Sequence, residues 1–466
     1  MAPSRETCYR GRVCVPQQYD KGEAIMVLKR LTWMCLAALV FALPVLAASS
    51  DYGLPRADPE SLGLSSEKLV AVKTQLNAFV EKGNLPGFVV AVARDGKLGY
   101  FEAWGMRDVE RAKPMAPDTI FRMYSMTKPI AGAAVMTLVD AGKISLDDPL
   151  SKYIPEFKDM KVLVDKKDGT TELVAAERPI TLKHLMTHTS GLVYGIFDTG
   201  KLGEMYREKD INSDGAAGIT LEEFAKRTAT MPLKCQPGSA WNYGINMDIL
   251  GRVVEVVSGK RFADYLQQTV FGPLGMKDAA FHVPADKADR LAANYGPNKQ
   301  SGGMSLLDDP AKSPYLKVPS QDSGGGGMVA TAGDYLRFAQ MLLNGGELDG
   351  VRVLSEKAVA EMTSNQLPAE LGDAPLNLMP GISFKGIGFG YCGATPMKGA
   401  VNTAFGDDGE YSWGGYASTD FWIDKKENMV GIVLTQLIPT ATYPTRPIMH
   451  NGVKAAILKK HPAAGD

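Results

Sequence analysis

The sequence has no excess of basic charge. Its 51 lysines and arginines meet 52 aspartates and glutamates, for a formal net charge of −1. Such a chain has no positive field to draw in nucleic acid, and that class of partner is set aside. Cysteine is scarce. Of five, Cys8, Cys14 and Cys35 fall among the first 47 residues, leaving Cys235 and Cys392 downstream. Two cysteines make no disulfide framework, and two buried free thiols are expected. The five histidines are scattered at 184, 188, 282, 450 and 461. His184-Leu-Met-Thr-His188 lacks the glutamate of a zinc helix, so neither metal nor cofactor is expected. No serine stands in Gly-x-Ser-x-Gly, which removes the nucleophile elbow of the α/β-hydrolases. Gly324–Gly327 is not followed by Lys-Ser/Thr and reads as a sharp turn rather than a phosphate loop. Asp210-Ile-Asn-Ser-Asp-Gly starts like a calcium loop. Its twelfth position is Leu221, with Glu222 one residue late, so a surface loop is expected.

What remains is ample for a core: 466 residues, 45% hydrophobic. Residues 1–47 read as an N-terminal extension and signal peptide. Lys29 and Arg30 precede the apolar run Leu31–Leu46, with Val45 and Ala47 placed for cleavage. That run is short for a membrane span. Met26 is the expected initiator, the protein is expected to be periplasmic or secreted, and no stable membrane partner is expected after cleavage.

From residue 48 a single catalytic domain is expected. A helix is predicted from Ser65 to Lys82, with Ser65 as its cap. Two β-rich runs flank Asp95-Gly96, a hairpin signal. A buried helix is predicted over Met126–Ala141, and another from Asp334 to the Gly345-Gly346 stop. Strands are predicted over Gly415–Asp424 and Met429–Gln436, then a helix over Ile448–Lys459. This order suggests one α/β (α+β) unit whose sheet is built from about 55–145 and 320–466, with a mostly helical part, about 146–319, inserted. A cleft where the two parts meet is the natural ligand site.

The chemistry starts at Ser125-Met-Thr-Lys128. At a helix start, residues three apart share a face, so hydroxyl and amine can meet. Serine attacks only when a base removes its proton, and lysine serves as base only when its pKa is lowered. Helix N-terminal amides could stabilise the oxyanion. By itself the spacing is common. Further pieces accompany it in order: Leu185-Met-Thr-His-Thr-Ser-Gly-Leu192, Pro237-Gly-Ser-Ala-Trp-Asn-Tyr243, Asp248-Ile-Leu-Gly251, Ser323 through Met328, and Trp413-Gly414-Gly415. Together they resemble the class C β-lactamase-like serine hydrolases, closest to the bacterial family VIII carboxylesterases, over most of residues 55–440.

The resemblance implies a β-lactamase and penicillin-binding-protein-like fold, an antiparallel sheet flanked by helices. It implies that Ser125 is the nucleophile and that Lys128 and Tyr243 handle its proton. A phenol beside a lysine ammonium is expected to have a lowered pKa. Tyr243-Gly-Ile departs from the family's Tyr-x-Asn, and Asn246 falls one residue late. His188 resembles a structural histidine. The Tyr416 amide would join the Ser125 amide as oxyanion hole, and Gly414 and Gly415 would let substrate lie against the strand. Trp413 stands where relatives that bind β-lactams or peptides carry a cation. An apolar wall there favours uncharged esters. The expected activity is a short-chain carboxylesterase acting on small-molecule esters through an acyl-Ser125 intermediate, with weak β-lactam hydrolysis in reach. A β-lactamase or DD-peptidase using the same residues is the first alternative. A non-catalytic penicillin-recognition-like protein is the second.

Overall fold

The computed structural model describes residues 52–461, except 212–217, 301, 372, 373, 375, 380, 381 and 402. The leader, its cleavage site and residues 212–217 of the calcium-like loop lie outside the described residues. Helix α1 (Ser66–Glu81) opens as expected, with the Ser65 hydroxyl accepting from the Lys68 amide and Leu69, Val72 and Leu76 buried at helical spacing. Strands β1 (Gly87–Arg94) and β2 (Lys97–Asp108) form the predicted hairpin. Asp95 and Gly96 turn it with φ of 55° and 72°, the left-handed pair that a tight hairpin needs.

Strand β3 (Lys113–Pro114) completes this edge. The chain returns to the sheet only with β4 (Ile387–Phe389), β5 (Ala394–Pro396), β6 (Glu410–Gly415), β7 (Thr419–Asp424) and β8 (Met429–Leu434). The order is β4-β5-β6-β7-β8-β1-β2-β3, eight strands. The pairing of β1 with β8 is antiparallel, with Val89 opposite Leu434, and it joins the two chain ends into one sheet.

Strand β1 is buried along its whole length, which is why it reads as a continuous apolar run. Its alternate residues serve two layers. Val89, Ala91 and Ala93 face the core containing helices α2 (Thr127–Asp140), α3 (Asn246–Ser258) and α4 (Ala332–Leu343). Phe88, Val90 and Val92 face α1 and helix α5 (Thr445–Ala456). An ion cluster ties α5 to the sheet: Lys454 Nζ lies 2.9 Å from Glu410 and 2.6 Å from Asp424, and His450 Nε2 lies 2.9 Å from Glu410. No helix among the described residues is long and apolar enough to cross a membrane.

Three expectations need correction. The span Gly415–Asp424 is not one strand. Gly415 ends β6, residues 416–418 turn with Ser418 at φ 60°, and β7 begins at Thr419. The last helix starts at Thr445 and ends at Ala456. The inserted segment also holds two hairpins, Lys161–Asp165 with Thr171–Ala175 and Asn294–Pro297 with Met304–Asp308. The first is largely exposed on both faces, so no apolar alternation marks it.

Candidate active site

Ser125 sits between a strand and a helix. Phe121–Arg122 pairs with Val329–Ala330, a single 3-10 turn spans Tyr124–Met126, and α2 follows. Tyr124 holds φ at 44°, a costly conformation for a bulky residue, directly before Ser125. The Met123 carbonyl just upstream accepts from Thr419 Oγ1 at 3.3 Å, so β7 clamps the turn.

Lys128 is the second residue of α2, one turn after Ser125, as the spacing predicts. Its Nζ is 3.0 Å from Ser125 Oγ and donates to the Gly325 carbonyl at 2.6 Å. It is fully buried, and the rings of Tyr243 and Tyr194 lie 4.6 and 5.3 Å from the nitrogen. Burial pushes its pKa far below that of an exposed lysine, while Asp248 pulls it back up. A buried lysine of this kind can be a neutral base.

Tyr243 donates its hydroxyl to Ser125 Oγ at 2.6 Å. The expected lowering of its pKa does not occur. Burial drives the phenol upward, and the hydrogen bond to Ser125 offsets only part of that. The cause is its box of rings: His188 at 4.9 Å, Tyr194 at 5.2 Å, Trp413 at 5.8 Å and Trp241 at 6.0 Å. Tyr243 is therefore a neutral proton donor rather than a resident tyrosinate.

Asn246 does not reach Lys128. Its Oδ1 accepts from Ser190 Oγ, and its Nδ2 lies 2.7 Å from His188 Nδ1. The Gly244 amide also donates to that Nδ1 at 3.3 Å, which leaves the ring proton on Nε2. Burial keeps His188 neutral. His188 thus braces the backbone beside Tyr243, the structural part expected of it.

Trp413 is only 3% exposed and stacks on Phe405 at 5.1 Å, so the apolar wall stands behind Tyr243 rather than open to solvent. The two glycines after it answer to protein neighbours. A Cβ on Gly414 would lie 2.2 Å from Asp420 Oδ1, and one on Gly415 would lie 2.3 Å from the Met123 carbonyl. Gly415 therefore brings the start of the 416–418 turn against the backbone that carries Ser125. The Tyr416 ring lies 6.3 Å from Tyr124 and 6.2 Å from Phe197. Cys235 and Cys392 are both free; Cys392 is buried and Cys235 partly so.

One buried group at the site carries no role in the sequence reading. Asp248 Oδ1 accepts from Ser323 Oγ at 2.6 Å and from the Gly325 amide at 3.3 Å. Its signal was a charged residue on the apolar face of α3, beside Met247, Ile249 and Leu250.

The beta-lactamase family model matches residues 72–448. Protein Rv1367c of Mycobacterium tuberculosis is 34% identical over 360 residues, 77% of this chain and 88% of that protein. Esterase EstB of Burkholderia gladioli is 32% identical over 400 residues, 81% of this chain and 93% of that protein. Among solved structures, EstCE1, described as a hydrolase with promiscuous acyltransferase activity, aligns with a TM-score of 0.69 at 25% identity, covering 86% of this chain and 99% of that one. The expected mixed α/β fold with its antiparallel sheet stands, and the chain belongs to the beta-lactamase family.

Proposed function

We propose that this protein is a carboxylic ester hydrolase that acts on short-chain acyl esters through an acyl-Ser125 intermediate. The observation that carries the reading is the pair of hydrogen bonds converging on Ser125 Oγ, from Lys128 at 3.0 Å and Tyr243 at 2.6 Å. Similarity to EstB and EstCE1 supports ester substrates. Neutral Lys128 takes the Ser125 proton as Oγ bonds to the ester carbonyl carbon. The amides of Ser125 and Tyr416 receive the oxyanion. As the C–O bond to the alcohol breaks, Tyr243 gives the alkoxide its proton and is refilled from the Lys128 ammonium. Water then repeats the sequence in reverse and frees the acid. By the family resemblance Trp413 takes the place of the cation that would hold a β-lactam carboxylate; it is buried and brings no charge to the site, which supports neutral esters over β-lactams.

The test is hydrolysis of p-nitrophenyl butyrate by Ser125→Ala. The variant should stay folded and lose turnover; turnover at the parent rate ends the proposal. A second reading is acyl transfer to an alcohol other than water, favoured by the likeness to EstCE1. Adding methanol or a longer alcohol and measuring the new ester separates the two.

A further inference from the structure

We propose that Asp248 is a positioning residue for Lys128 and acts through the glycine turn at 323–327. This rests on the reading of Lys128 as the base for Ser125. The chain of contacts is short. Beyond Ser125, the acceptor that holds the Lys128 amine among the described residues is the Gly325 carbonyl at 2.6 Å. That carbonyl belongs to a turn of four glycines closed by Gly327 N to Ser323 O at 2.9 Å and Gly326 N to Ser323 Oγ at 3.1 Å. A run of glycine has the widest conformational freedom and needs an external anchor. Asp248 supplies one from α3, binding Ser323 Oγ at 2.6 Å and the Gly325 amide at 3.3 Å with the same oxygen. One face of the Gly325 peptide region is held by Asp248, and its carbonyl holds the lysine.

The cost of this arrangement argues for its purpose. Asp248 is fully buried, and its second carboxyl oxygen has no hydrogen-bond partner among the described residues. A carboxylate left half-satisfied in the core is expensive and is not needed merely to fill space. A Cβ on Gly325 would lie 2.6 Å from that oxygen, so the turn is packed directly onto it. Asp248 is also placed to act by charge. The groups that face Lys128 are Ser125, the phenols of Tyr243 and Tyr194, Asp248, the Cys392 thiol and His188. Burial keeps the thiol protonated and the histidine neutral. Burial also pushes the Asp248 carboxyl upward, and in its charged form Asp248 is the acidic group that offsets the burial of the ammonium.

Two substitutions separate position from charge. Asp248→Asn keeps an oxygen for Ser323 and Gly325 but removes the charge. The acid limb of kcat/KM should move to lower pH by about one unit, because the lysine loses its counter-charge. Asp248→Ala removes the anchor as well, and kcat should fall about 100-fold with KM little changed, the expected effect of a displaced base. Ser323→Ala loosens the turn with the charge in place, so kcat should fall while the acid limb stays. This variant and Asp248→Asn carry the test if Asp248→Ala does not fold. If all folded variants keep the parent kcat and pH limb and change only the melting temperature, Asp248 is a structural staple and the proposal is overturned. Failure of the underlying reading is distinguishable: Ser125 in the parent protein would then not label with a fluorophosphonate, whatever Asp248 does.

Discussion

The Tyr243 hydroxyl donates to Ser125 Oγ at 2.6 Å, and the phenol that makes this bond is pushed toward its neutral form by burial. A neutral phenol is suited to give a proton, and on the proposed mechanism that proton goes to the leaving alcohol. Tyr243→Phe keeps the ring box and removes only the proton. Turnover of ethyl or butyl esters should fall by about 10² to 10⁴. Esters of p-nitrophenol, whose leaving group needs no proton, should lose much less. Steady-state rates on matched alkyl and aryl esters check this; equal losses on both would place the hydroxyl in the attack step instead.

A second prediction concerns pH. Lys128 works as a base only when neutral, and burial lowers its pKa. The fraction of competent enzyme therefore rises with pH through that lowered value and is full above it. The acid limb of kcat/KM should lie far below the ordinary lysine value of about 10.4. Lys128→Met should lose turnover and the limb together. A limb near the ordinary lysine value would mean that the amine is solvated in the free enzyme.

Legibility differed sharply among these groups, for physical reasons. The contact between Ser125 and Lys128 was readable because it is local, residues three apart on a helix start sharing a face whatever the rest of the chain does, although only the accompanying motifs raised that common spacing above chance. Tyr243 was readable only through resemblance, since nothing local ties it to a serine 118 residues earlier. The direction of its pKa was misjudged because, apart from the nearby Trp241, the ring box assembles from His188, Tyr194 and Trp413, which are distant in sequence. Asp248 escaped for the same reason, as its partners Ser323 and Gly325 come 75 and 77 residues later. In the fold, the doubly buried β1 and its hairpin turn announced themselves, whereas the exposed hairpin at 161–175 had no apolar alternation to show.

Trp413 supports a third prediction. It stacks on Phe405 at 5.1 Å and stands 5.8 Å from Tyr243, so it both fills the core and backs the phenol. Trp413→Ala should cost about 3–5 kcal/mol of stability and lower kcat as Tyr243 gains room. Trp413→Phe should recover most of both. Denaturant unfolding read alongside butyrate hydrolysis checks the coupling; stability loss with unchanged kcat would confine Trp413 to packing.

The glycine turn supports the last prediction, because neighbouring glycines there meet different surroundings. A Cβ on Gly325 would sit 2.6 Å from both Asp248 Oδ2 and the Tyr194 hydroxyl, groups fixed by the core. A Cβ on Gly326 would meet nothing closer than the Tyr124 backbone at 3.7 Å, an ordinary contact. Gly325→Ala must therefore push the turn away from Asp248, carrying the Gly325 carbonyl and Lys128 with it. It should destabilise the protein by about 1–3 kcal/mol and reduce kcat. Gly326→Ala should change stability by no more than about 0.5 kcal/mol. Thermal melts and ester turnover on the two variants provide the comparison. Equal behaviour of the pair would show that the turn yields without cost, and with it that the lysine does not depend on where the Gly325 carbonyl is held.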